Sequence, residues 1–166
     1  MFDISQVGMN LATFTVALFF VELIYLAVID QLTMEIPFVF QIVILLLGVT
    51  SIFTIGGLTI WERIIGMFCI SLPLLLITII IPNAFGGGDI KLMFTCGFFL
   101  GWKLILVSFF FGIIFGGLFG AIFLLTKKKG RKEHFAFGPY LSVGMIVATL
   151  WGNQLLEWYL GSFKVQ

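Results

Sequence analysis

Apolar residues run along this chain in long blocks separated by brief polar breaks, the pattern of membrane-spanning helices joined by short loops. The first block covers residues 7–29, has Asn10 and Glu22 as polar interruptions, and closes on Asp30. A polar loop from Asp30 to Pro37 leads into the second block, 38–53, and Pro37 suits the first turn of that helix, where its missing N–H has no partner to lose. Thr54-Ile55-Gly56-Gly57 then makes a flexible turn. Trp61-Glu62-Arg63 precedes the third block, 64–81, and marks a membrane interface, with an anchoring Trp and two charges able to reach water. Pro73 is expected to kink this helix, and Pro82-Asn83 to stop it. Residues 90–102 offer only about 20 Å of helix before Gly101-Trp102-Lys103 interrupts them. They are either a short span starting below the lipid surface or a re-entrant segment. A full span at 104–126 carries Gly112, Gly116 and Gly120 at four-residue spacing, a ridge that lets another helix approach closely. The last block, 140–160, follows Ala136-Phe137-Gly138-Pro139 and ends on Glu157-Trp158-Tyr159. The pattern predicts an all-α, polytopic membrane protein of about six transmembrane helices with a short fourth segment.

Composition agrees. With 61% hydrophobic and 10% charged residues, 166 residues leave room for closely connected spans and for no soluble domain. The first block is too long for a signal peptide and reads as a retained span. A net charge of +1 gives no reason to expect nucleic acid as a partner. Cys69 and Cys96 stand singly inside apolar runs and read as packing residues, not as a metal site or a disulfide framework. The one basic cluster, Lys127 to His134, is a topology signal that places its loop in the cytoplasm. With six spans, the loops holding Asp30 and Asp89 share that side, Lys91 joins it, and Trp61, Trp102 and Trp158 fall at the opposite face. His134, alone among lysines, reads as a solvated loop residue.

Candidate chemistry centres on Phe85-Gly86-Gly87-Gly88-Asp89-Ile90-Lys91. Three glycines permit positive φ and close approach of a peptide, and an ionisable group at membrane depth is usually functional. Two carboxylates that meet can share a proton, one acting as base on water while the other polarises a scissile carbonyl. Such a pair needs no metal and no cofactor, and the chain shows no His or Cys cluster of the kind zinc would take. Lys91 either favours an ionised Asp89 or snorkels to the headgroups. Glu22 lies about 80° round the helix from Asp30, so it either lines the same interior face or is a structural residue. The plainer reading of each Asp is a solvated loop residue or helix cap. A small proton- or cation-coupled transporter using Asp30 and Asp89 is the alternative of another class.

Gly86-Gly87-Gly88-Asp89-Ile90-Lys91 resembles the GxGDxK signature of the type IV prepilin peptidases, membrane aspartic proteases that include the archaeal preflagellin peptidases. The GxGD core is shared with presenilin-like proteases. Asp30 followed seven residues later by Pro37 resembles the family's first-aspartate segment, Phe137-Gly138-Pro139 its Phe-Gly-Pro stretch, and Cys96 to Gly101 its glycine-punctuated short helix. The resemblance implies one membrane-embedded peptidase domain over residues 1–166, with Asp30 and Asp89 as the catalytic pair and Gly86, Gly88, Lys91, Pro37, Gly138 and Pro139 in support. It further implies a multi-pass inner-membrane enzyme, active at the cytoplasmic face. Its substrate would be a prepilin or pseudopilin, cut after a short basic leader ending in Gly, just ahead of a hydrophobic segment. No N-terminal region with paired CxxC motifs precedes Asp30, so this resembles the short Flp/Tad-type or archaeal form, with N-methylation in doubt. Glu35, by its charge and its place in the Asp30 loop, is a candidate to receive the basic leader.

Overall fold

Apolar stretches of this length can satisfy their backbone groups in lipid only by forming helices. A computed structural model describes residues 4–82, 84–125 and 136–163, and its elements are helical: α1 (Ile4–Thr33), α2 (Phe38–Thr54), α3 (Ile60–Ile80), α4 (Gly87–Leu125) and α5 (Gly138–Phe163). Among the described residues three helical stretches are long and apolar enough to cross a membrane, Asn10–Thr33, Ile60–Ile80 and Gly87–Ile122, with Phe38–Thr54 a shorter apolar helix. By length and composition alone these stretches do not confirm six separate spans. The expected fourth and fifth segments belong to α4.

α4 is not straight. At Gly101 the backbone leaves the helical region, with φ 75° and ψ 170°, a conformation that favours glycine. Phe85, just ahead of α4, has its ring 6.2 Å from that of Phe137, and a Cβ on Gly116 would lie 2.5 Å from the same Phe137 ring. A straight helix would hold positions 85 and 116 more than about 40 Å apart, so the chain folds back at Gly101. The first arm, 87–100, lies antiparallel on α3, where Gly66 meets Gly97 backbone to backbone and Phe68 packs edge-on against Phe94. The second arm, 102–125, lies antiparallel on α5 through Gly112 against Leu141, Gly144 against the carbonyl of Ser108, and Gly152 against Leu104. Close contact at Gly112 and Gly116 is what their spacing predicts.

Two ends result. Glu62 at the start of α3 pairs with Lys103 at 3.6 Å, so Trp61, Trp102 and, through Gly152 on Leu104, the late part of α5 share one end. The aspartates occupy the other. Leu75 lines the same cavity as Gly87 and Lys91, and α3 continues five residues further to Ile80, so the first arm begins roughly 8 Å short of α3's end.

Polarity is inverted relative to a soluble protein. Phe14, Val21, Leu46 and Phe53 point outward, whereas Asp30, Gln41, Ser51, Arg63, Ser71 and Asp89 are buried. An apolar exterior over a partly polar interior is what lipid selects, and the chain is a membrane protein. Arg63 departs from its expected place in interfacial water. It is fully buried and donates to the Ser51 hydroxyl at 2.6 Å, to the Ser51 carbonyl at 3.3 Å and to the carbonyls of Phe98 and Phe99 at 3.1 and 3.4 Å. These carbonyls lie near the ends of α2 and the first arm of α4, and that of Ser51 also accepts from the Ile55 N–H at 2.9 Å. One guanidinium thus ties two helix ends at the fold-back, while Glu62 caps α3 through Thr59.

Candidate active site

Asp30 sits in the last turn of α1, and Asp89 in the first turn of α4. Both are buried, at 5% and 8% exposure, and both line a cavity of about 290 Å³ together with Glu35, Ile36, Gln41, Gly86, Gly88 and Lys91. They are close enough for their charges to interact. Neither is a solvated loop residue. The lysine cluster of residues 127–134 lies outside the described residues.

The segments that carry the expected supporting residues pack closely around the two aspartates. α1 ends because Met34 takes a left-handed conformation, φ 55°, while its N–H bonds back to the Asp30 carbonyl at 2.9 Å. Thr33 steadies the exit by donating to the Glu35 carbonyl at 3.0 Å. The chain then runs extended to Pro37, which is the N-cap of α2 and so stands one position ahead of the first turn anticipated for it. This carries Ile36 onto the glycine turn, and a Cβ on Gly88 would lie 3.0 Å from that of Ile36. The Gly86 backbone lies close against the Asp89 carboxylate, and a Cβ there would lie 3.0 Å from Asp89 Oδ2. Among the described glycines positive φ occurs at Gly57 and Gly101 and not at Gly86 or Gly88. The glycine turn therefore serves close approach, not left-handed backbone.

A third helix end meets Asp30. The backbone N–H of Gly138 donates to Asp30 Oδ2 at 3.0 Å across 108 residues of sequence, and a Cβ on Gly138 would lie 2.5 Å from that oxygen. Because the first N–H groups of a helix have no internal partners, the start of α5 is a natural seat for a carboxylate. Pro139 fits there without loss, since the amide it lacks would be unpaired. Phe137 accepts from the N–H groups of Tyr140 and Leu141 at 3.1 and 3.2 Å, and its ring wedges between Phe85 and Gly116.

Lys91 makes no ion pair with Asp89. Its Nζ lies 5.7 Å over the Phe38 ring, at the border of the cleft. Glu22 does not line the cleft, and its buried Oε1 has no hydrogen-bond partner. Gln41, at 2% exposure, does line it. A lone Gln in an apolar run carries no motif, and only its packing reveals it.

The arrangement can hold a peptide carbonyl and a water against two carboxylates. The family model for the type IV leader peptidase family matches residues 17–121, which contain both aspartates. The chain belongs to that family. Relatives in it are each named prepilin leader peptidase/N-methyltransferase. The protein of Bacillus subtilis is 34% identical over 155 residues, covering 92% of this chain and 62% of its own length. Those of Legionella pneumophila and Pseudomonas aeruginosa are 34% and 32% identical over 76 and 75 residues, covering 46% and 45% of this chain and 26% of each relative. The chain thus spans less than two thirds of the curated relatives it matches. No solved structure matches significantly.

Proposed function

We propose that the protein is a membrane aspartic endopeptidase that removes the leader from type IV prepilins or pseudopilins at the cytoplasmic face of the inner membrane. The observation that carries this reading is the meeting of Asp30 and Asp89 in one cleft, from helices far apart in sequence. Membership of the leader peptidase family supports the same reading.

In the proposed reaction the dyad holds one proton between two carboxylates. The ionised partner takes a proton from water as the water oxygen attacks the scissile carbonyl carbon. The protonated partner gives its proton to the carbonyl oxygen, forming a neutral tetrahedral diol. Collapse returns a proton from the diol to one carboxylate and delivers another to the leaving nitrogen. The C–N bond breaks to a leader carboxyl and a new amino terminus, and the dyad again holds one proton. Gly138 serves as a positioning group that holds Asp30 by a main-chain hydrogen bond, and Gly86 as a residue small enough to sit against Asp89.

Sidedness follows from charge. The second arm of α4 and the start of α5 both meet the aspartate end, and the sequence joining them carries Lys127, Lys128, Lys129, Arg131 and Lys132. Positive joining segments stay inside. The direct test is to incubate the purified protein in detergent with a candidate prepilin and read the product's mass. Release of the leader at a Gly, ahead of the hydrophobic segment, is the expected result. A folded protein that leaves every candidate prepilin intact would contradict the reading.

A further inference from the structure

The aspartate cleft continues past the dyad. Phe38, Gln41, Gly87 and Lys91 also border a second cavity of about 590 Å³, between α2, α3 and the first arm of α4. That cavity is lined mainly by apolar side chains such as Ile42, Leu45, Phe68, Leu72 and Phe94. Gln41 therefore stands where a polar cleft becomes an apolar groove. Its side chain is 98% buried, the complement of its 2% exposure, and its Oε1 has no hydrogen-bond partner. An amide left in that state destabilises the resting protein. A group of this kind acquires a purpose when something enters with a donor to offer.

A peptide laid across two carboxylates must be extended, so its main-chain N–H and C=O groups face the walls on both sides of the scissile bond. In a site enclosed by apolar helices those groups need protein partners. Resting on the peptidase reading above, we propose that Gln41 is a positioning residue that hydrogen-bonds the main chain of the bound peptide as it leaves the aspartates for the apolar groove. Oε1 accepts from a peptide N–H. The groove beyond it then selects apolar side chains on that side of the scissile bond, so Gln41 fixes the register at which an apolar segment begins relative to the cut.

The test uses the full chain in detergent and a synthetic peptide with a basic leader, a glycine and an apolar segment. A companion series of this peptide replaces the amide N–H by an ester oxygen at successive positions after the scissile bond. In wild type, the ester at one position is expected to lower kcat/KM about tenfold, the loss of one hydrogen bond. Gln41→Met is expected to lose about as much on the all-amide peptide and nothing further on that ester. Its thermal midpoint should equal or exceed that of wild type, because an unpaired buried amide has been removed. A purely structural glutamine would give the opposite, a falling midpoint. The inference is overturned if no single ester matters to wild type, if the ester penalty is the same in Gln41→Met, or if Gln41→Met fails to fold. A wild type that cuts none of the peptides overturns the peptidase reading itself, and the inference with it, whereas a wild type that cuts them with additive penalties overturns the inference alone.

Discussion

Gly138 has room for no side chain. A Cβ there would stand 2.5 Å from Asp30 Oδ2, and the neighbouring start of α5 is tied down by Phe137 and cannot simply retreat. Gly138→Ala is therefore expected to push the carboxylate aside. A displacement on the order of 1 Å at a reacting group lowers rates by roughly 10²-fold. Cleavage kinetics, with circular dichroism showing the helices intact, would check it, and a rate within twofold of wild type would remove Gly138 from the site. Glu35 is a different case, since it is exposed at the rim of the cleft. If it receives a basic leader, Glu35→Gln should raise KM several-fold at low salt with kcat unchanged, and the difference should shrink near 1 M salt as screening sets in. Equal KM at every salt concentration would end that role. Both aspartates were legible in the sequence mainly through the motifs that hold them, since a charge closing an apolar run is by itself equally readable as a solvated loop residue or helix cap. Gln41 was not, since a single glutamine in an apolar block looks the same whether it faces a neighbouring helix or a substrate.

Among the elements, the fold-back of α4 does most to place the site. It brings the first arm onto α3 and the second onto α5, so that the beginnings of α4 and α5 reach the same end of the molecule as the end of α1. Arg63 secures that turn by donating to the carbonyls of Ser51, Phe98 and Phe99. Arg63→Met should remove the hydrogen bonds from Arg63 to the Ser51 hydroxyl and to the carbonyls of Phe98 and Phe99 and lower stability by about 3 kcal/mol. Arg63→Lys should recover only part of this, as an ammonium lacks the planar fork that reaches several acceptors at once. Thermal unfolding in detergent would measure both, and two variants as stable as wild type would show that the clamp is dispensable. From sequence, Trp61-Glu62-Arg63 read as an interface because local composition says nothing about a long side chain turning inward. Gly101 was visible as an interruption. The direction of the chain after it depends on contacts made more than 30 residues away, at Phe137 and Gly152, and no local pattern encodes those.

At the scale of the whole molecule, an apolar exterior surrounds buried charged side chains at two levels: Arg63 near the tryptophan end, and Asp30 and Asp89, beside Gln41, near the other. The helical class and the approximate block boundaries follow from hydropathy alone, since lipid permits few other ways to satisfy a backbone. The expected fourth and fifth segments correspond to the two arms of α4, which meet at the non-helical Gly101. The central claim is that the two aspartates act as one catalytic unit, and groups that act as a unit give losses that do not multiply. The decisive measurement is prepilin cleavage by Asp30→Asn, Asp89→Asn and the double variant, each verified as folded. Each single variant is expected to lose at least about 10³-fold, with the double no worse than the more damaged single. A single variant that cleaves at the wild-type rate, or a double whose loss is the product of two partial losses, would contradict the account.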